Sequence, residues 1–128
     1  VDTSVWIDYF RGSDQRLVEE VGKLLDSDQA ALALPVRIEI LGGSSKKDLP
    51  KLRRALSGLP TFVPGVATWE LVEIWVEAAI SKGERFGVTD LLIAAVAAEH
   101  GMRLWSLDGD FVRMEKLGFF RRYLFEPK

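Results

Sequence analysis

From Asp90 to Ala98 the chain reads Asp-Leu-Leu-Ile-Ala-Ala-Val-Ala-Ala, and no second polar residue arrives until Glu99. A helix of this composition has almost no face to offer water, so neighbours must cover it on nearly every side. An unpaired carboxylate in such a place costs several kcal/mol, which singles out Asp90 at once. Thr68 to Lys82 makes a similar demand. Glu70, Glu73 and Glu77 form one narrow polar stripe there, and nearly everything else is apolar. That helix is expected to be buried on more than one side, with part of its surface suited to a subunit or partner interface.

Around these segments the pattern alternates short strands with helices. Val1-Asp2 reads as the end of a strand, with a few of its residues expected to precede Val1. Ser4 to Arg11 is a short helix stopped by Gly12, and Ser13 or Asp14 can cap the next, which runs to about Ser27. Ala30 to Leu34 is an apolar strand. Pro35 suits the first turn of a helix ending at Gly42-Gly43. Asp48 to Ser57 reads as a basic helix and Thr61 to Val63 as a second strand. After the two apolar helices come a strand at Arg103 to Ser106, a helix at Phe111 to Leu117 and a last strand at Phe120 to Phe125. This alternation predicts an α/β fold, a parallel β-sheet flanked by α-helices on both faces. Such sheets bind ligands beyond the carboxyl ends of their strands.

The chain has 128 residues, enough for one domain with a real core, and we expect that domain to span 1–128. It has no cysteine, which excludes a disulfide scaffold and a thiolate zinc site and fits a cytoplasmic location. No apolar run reaches the roughly 18 residues of a membrane helix, so no membrane partner is expected. There is no Walker phosphate loop and no G-x-G-x-x-G fingerprint. The single histidine, His100, ends an apolar helix, where a cation suits the helix dipole.

Carboxylates are therefore the main candidates for chemistry. Asp2, Glu39, Asp90, Asp108 and Asp110 each fall at a strand end or in the short helix that follows one. Taken singly, each has an ordinary reading. Asp2 can cap the first helix, Glu39 can be an exposed helical position, and Asp90 can be a first-turn acid with Thr89 as cap. Asp108-Gly109-Asp110 can be a turn and an N-cap. Gathered, they form an all-oxygen pocket that repels itself unless it holds protons or a divalent cation, and that suits Mg²⁺ or Mn²⁺. Such a site can serve in-line displacement at a phosphodiester without any histidine. Ser4, Thr89 and Ser106 have no nucleophile-elbow setting and are better suited to orienting a carboxylate or water.

In these segments the chain resembles the PIN-domain nucleases, most closely the VapC toxins of bacterial toxin–antitoxin pairs. Val1-Asp2-Thr3-Ser4-Val5-Trp6-Ile7-Asp8 looks like the opening motif. Arg37 to Gly42, Thr89 to Ala95 and Ser106 to Phe111 match the three later acidic motifs in order and separation. The resemblance covers nearly the whole chain. It implies a Mg²⁺-dependent ribonuclease, with Mn²⁺ able to substitute. Asp2, Glu39, Asp90 and Asp108 would be catalytic, and Asp2, Asp90, Asp108 and Asp110 would hold metal. It also implies a structured RNA substrate such as transfer or ribosomal RNA, a homodimer, and a small VapB-like antitoxin lying over the site.

Lys46, Lys47, Lys51, Arg53 and Arg54 fall within nine residues, opposed only by Asp48. They read as a solvated helix face or as an RNA-backbone contact beside the acids. Trp69 and Trp75 become candidates for a dimer or antitoxin surface, and Trp6, Tyr9 and Phe10 for an antitoxin groove; core packing is the competing reading. Two rivals remain. A phosphatase of the haloacid-dehalogenase type needs a second Asp two residues after the first, where this chain has Ser4. A non-catalytic protein- or RNA-binding module on the same fold is expected to have lost acids that this chain retains.

Overall fold

The computed structural model describes residues 1–125. Residues 126–128 of the expected 1–128 domain lie outside the described part. The chain begins with α1 (Thr3–Arg11) and α2 (Gln15–Asp26). Gly12 ends α1 in the left-handed region at φ 69°, donating back to Asp8 and Tyr9. Asp14 caps α2 by accepting from the N–H groups of Arg16 and Leu17. Next come β1 (Leu32–Ala33), α3 (Leu34–Gly42), α4 (Leu49–Ser57) and β2 (Thr61–Phe62). The long helices α5 (Val66–Ser81) and α6 (Val88–Glu99) follow, then α7 (Gly109–Lys116).

All seven anticipated helices form, most within two residues of the expected ends. The strands are shorter than expected. β1 and β2 pair in parallel, Leu32 with Thr61 and Ala33 with Phe62. β1 cannot extend further because Leu34-Pro35 already opens α3. The strand expected at Arg103 to Ser106 reduces to Leu104, which makes one parallel bridge to Arg122 of the expected last strand. Leu104 donates to the Arg121 carbonyl at 2.9 Å and accepts from the Tyr123 N–H at 2.8 Å. The Asp2 N–H bonds the Trp105 carbonyl at 2.8 Å, which ties the chain's start alongside this segment.

The apolar helix α6 packs against α5, α3 and β1. Leu91, Leu92, Ile93, Ala94, Ala95 and Val96 are all buried, as a helix without a polar face requires. Each large side chain among them contributes roughly 1.5–3 kcal/mol. This burial fixes the first turn of α6, and Asp90 with it, against the rest of the molecule.

Helix α5 departs from expectation. Val72, Trp75 and Ala79 face the core, and Trp75 stacks on Phe119 with centroids 4.6 Å apart. Opposite this face runs the Glu70, Glu73 and Glu77 stripe, flanked by exposed Trp69 and Ile80 on one side and exposed Ile74 on the other. Trp75 is therefore a core residue and not a surface anchor. Trp6 is also core, 1% exposed, whereas Phe10 is 41% exposed. Among the described residues, no helix is long and apolar enough to cross a membrane.

Candidate functional site

Helix starts bring most of the acids to one place. Asp2 occupies the N-cap position of α1, Asp90 lies in the first turn of α6, and Asp108 and Asp110 open α7. Helix N-termini carry partial positive charge, which eases the approach of several anions. Glu39 arrives from α3.

Asp90, Asp108 and Asp110 each offer a carboxylate oxygen, and the three oxygens lie within 4.8 Å of one another. Asp2 and Glu39 stand outside that tight set, yet both act on Asp90 through their charge. Burial comes first, and Asp108, Asp2, Asp110 and Glu39 then add repulsion. Together they push the Asp90 carboxyl from its ordinary 3.8 up to about 6. The donor set is hard oxygen throughout and carries surplus negative charge, which fits a divalent cation such as Mg²⁺ or Mn²⁺.

Asp2 is only 6% exposed and does not spend its side chain on capping α1. Its Oδ2 instead accepts from the Ser106 hydroxyl at 2.8 Å and from the Ser4 hydroxyl at 3.0 Å. Each serine oxygen accepts in turn from the turn before α7. Ser4 takes the Leu107 N–H at 3.1 Å, and Ser106 takes the Asp108 N–H at 3.0 Å. Two hydroxyls thus clasp a buried carboxylate to the loop that carries Asp108. Thr89, the third hydroxyl considered, is exposed, and Gly87 rather than Thr89 holds the N-cap position of α6.

Asp108 does cap α7, accepting from the Asp110 N–H at 2.9 Å through Oδ1. Glu39 is exposed on α3, and its Oε1 accepts from the Thr3 hydroxyl at 2.9 Å. Sequence reasoning passed over Arg113 and Glu84. Arg113 bonds Asp110 at 2.6 Å and also bonds Glu84. The spacing of Asp110 and Arg113 on one helix was a usable signal. Nothing local announces Glu84.

Lys46, Lys47, Lys51, Arg53 and Arg54 are all exposed. Of these, Lys51 reaches a groove of about 470 Å³ that it shares with Glu39, Ile7 and Phe10. The groove therefore joins the basic helix α4 to the edge of the acidic site. His100 lies elsewhere, stacked on Phe62 at 3.9 Å with Nδ1 2.8 Å from the Val96 carbonyl oxygen.

A family model described as PIN domain matches residues 1–117. VapC ribonuclease Mb1587 of Mycobacterium bovis is 34% identical over 116 residues, 87% of each chain. Ribonuclease VapC11 of Mycobacterium tuberculosis matches to the same extent. Ribonuclease VapC32 of the same species is 37% identical over 109 residues, 84% of this chain and 82% of that one.

Proposed function

The chain belongs to the PIN-domain family and to the VapC group within it, and from that membership we propose that it is a metal-dependent endoribonuclease, the toxin of a type II toxin–antitoxin pair. The observation that carries this reading is the charge on Asp90. Four other carboxylates, drawn from residues 2 to 110, converge on it closely enough to raise its affinity for a proton. Carboxylates gathered this closely, with Asp90, Asp108 and Asp110 oxygens within 4.8 Å of one another, are also a receptor for Mg²⁺ or Mn²⁺.

In this reading Asp90, Asp108 and Asp110 hold the metal, and Asp2 completes the acidic wall from its buried position. Mg²⁺, or Mn²⁺ in its place, would be held by these acids and would supply Lewis-acid chemistry for phosphodiester hydrolysis. Asp2, fixed by Ser4 and Ser106, provides a charge that does not move during the reaction. Glu39 is exposed, accepts from Thr3 through Oε1, and serves as a metal ligand or orients the attacking water. His100 is remote from these acids, which leaves proton transfer to the carboxylates.

Lys46, Lys47, Lys51, Arg53 and Arg54 contact the RNA backbone, Lys51 from within the groove that ends at Glu39 and the others from its surroundings. The substrate is a structured RNA, transfer or ribosomal. The exposed apolar flank of α5 at Trp69 and Ile80 serves a homodimer, and a VapB-like antitoxin covers the site. The protein acts as one domain in the cytoplasm. The relatives' names support the ribonuclease activity alone, and the backbone-contact and dimer readings draw on the exposure of the residues concerned.

The test uses purified chain, free of antitoxin, with total cellular RNA in Mg²⁺ or in EDTA, beside Asp90→Asn. Discrete fragments made only by wild type with metal are the expected result. A folded, Mn²⁺-binding protein that cuts neither transfer nor ribosomal RNA would overturn the nuclease reading.

A further inference from the structure

Arg113 supplies the one ion pair found to any of the five acids among the described residues. Its guanidinium is held on three sides. One nitrogen bonds Asp110 Oδ1 at 2.6 Å, another bonds Glu84, and Cζ lies 4.8 Å from the centroid of Phe86. Glu84 and Phe86 belong to the loop between α5 and α6, four to six residues before Asp90. Arg113 itself lies on α7, three residues after Asp110. The guanidinium therefore bridges the starts of the two helices whose acids repel one another across 4.8 Å.

From this geometry we propose that Arg113 is the site's built-in counter-cation. It is a positioning residue that acts through Asp110. It stands in for part of the missing positive charge when no metal is bound, and it lowers the affinity of the cluster for a divalent ion. The physical basis is Coulombic. Three carboxylates this close are relieved by protons or by nearby positive charge, and Arg113 cannot lose its proton. Its fork needs two acceptors, which Asp110 and Glu84 provide, and the Phe86 ring adds a cation–π contact. A fixed cation beside the cluster also repels an arriving divalent ion. Removing it leaves the metal-free protein less stable and the metal-binding protein tighter. The inference rests on the proposed metal site.

The test is calorimetric titration of the full chain with MnCl₂, together with thermal melts in EDTA and in saturating Mn²⁺. Arg113→Gln is expected to bind Mn²⁺ roughly 3- to 10-fold more tightly than wild type. It should melt lower in EDTA and recover most of the difference in Mn²⁺. Arg113→Lys retains the charge, so its affinity should stay within about twofold of wild type. Arg113→Met preserves packing on Phe86 and gives the same readings should the Gln variant not fold. Unchanged or weaker Mn²⁺ binding in the Gln or Met variant overturns the inference, because a residue that merely braces the loop would weaken binding when lost. Absence of Mn²⁺ binding in wild type itself would overturn the metal site, and this inference with it.

Discussion

The Ser106 hydroxyl donates to Asp2 Oδ2 across 2.8 Å, joining residues 104 positions apart in the chain. Asp2 is almost wholly buried, so each hydroxyl it accepts from offsets part of the cost of removing a carboxylate from water. Ser106→Ala deletes one of two such donors and also frees the Asp108 N–H. We expect it to cost about 1–2 kcal/mol of stability. Cleavage should fall about tenfold in kcat with little change in KM, because the loss is in the placement of the acids and not in RNA binding. Denaturant melts and steady-state cleavage of one RNA substrate check this. A variant with wild-type kcat would show that the clasp is structural only.

Asp90→Asn should abolish cleavage and, in metal-free buffer at neutral pH, stabilise the fold. The Asp90 carboxyl holds its proton up to about pH 6 in the folded chain, against 3.8 ordinarily. The folded state is thus the better proton binder, and the stability this confers is complete below about pH 4. It is lost as pH rises through 6. Asp90 is partly exposed, so solvent screening reduces the effect to about 1 kcal/mol, or roughly 3–6 °C in Tm. The Tm advantage of Asp90→Asn in EDTA should shrink as the pH is lowered from 6 to 4. An advantage that grows with acidity would contradict the raised value.

Protons and metal should compete at Asp90. Cleavage at low Mg²⁺ is expected to fall as pH drops through about 6. Raising Mg²⁺ should move the fall to lower pH, because a cation bound by a carboxylate displaces its proton. The measurement is a set of pH–rate profiles at several Mg²⁺ concentrations. Profiles that superimpose at every concentration would remove Asp90 from the metal ligands.

Replacing Lys51, Arg53 and Arg54 together with Ala should raise KM for RNA while leaving the melting temperature close to wild type, since all three are exposed. If each contacts one phosphate of a single strand, the slope of log affinity against log salt should become shallower by about 2. An unchanged slope would return this run to the status of a solvated helix face.

Read alone, the residues determine the helices, because helix signals are local. Gly12, Asp14, Pro35 and Gly43 mark ends through backbone and capping chemistry within a turn, and the bonds of a helix close inside its own segment. The burial of α6 was legible for the same reason: a segment with no polar face has one solution. The acids were legible as a set in their chain order. What local signals could not decide was anything that needs a distant partner. The segment at Leu104 pairs with Arg122 through a bridge, and Trp75 is core because Phe119 stacks on it. Only the tertiary structure turned Asp2 away from its cap toward Ser106, and only it brought Glu84 to Arg113. Contacts between residues this far apart in sequence are fixed by packing the whole chain, not by the pattern of any one segment.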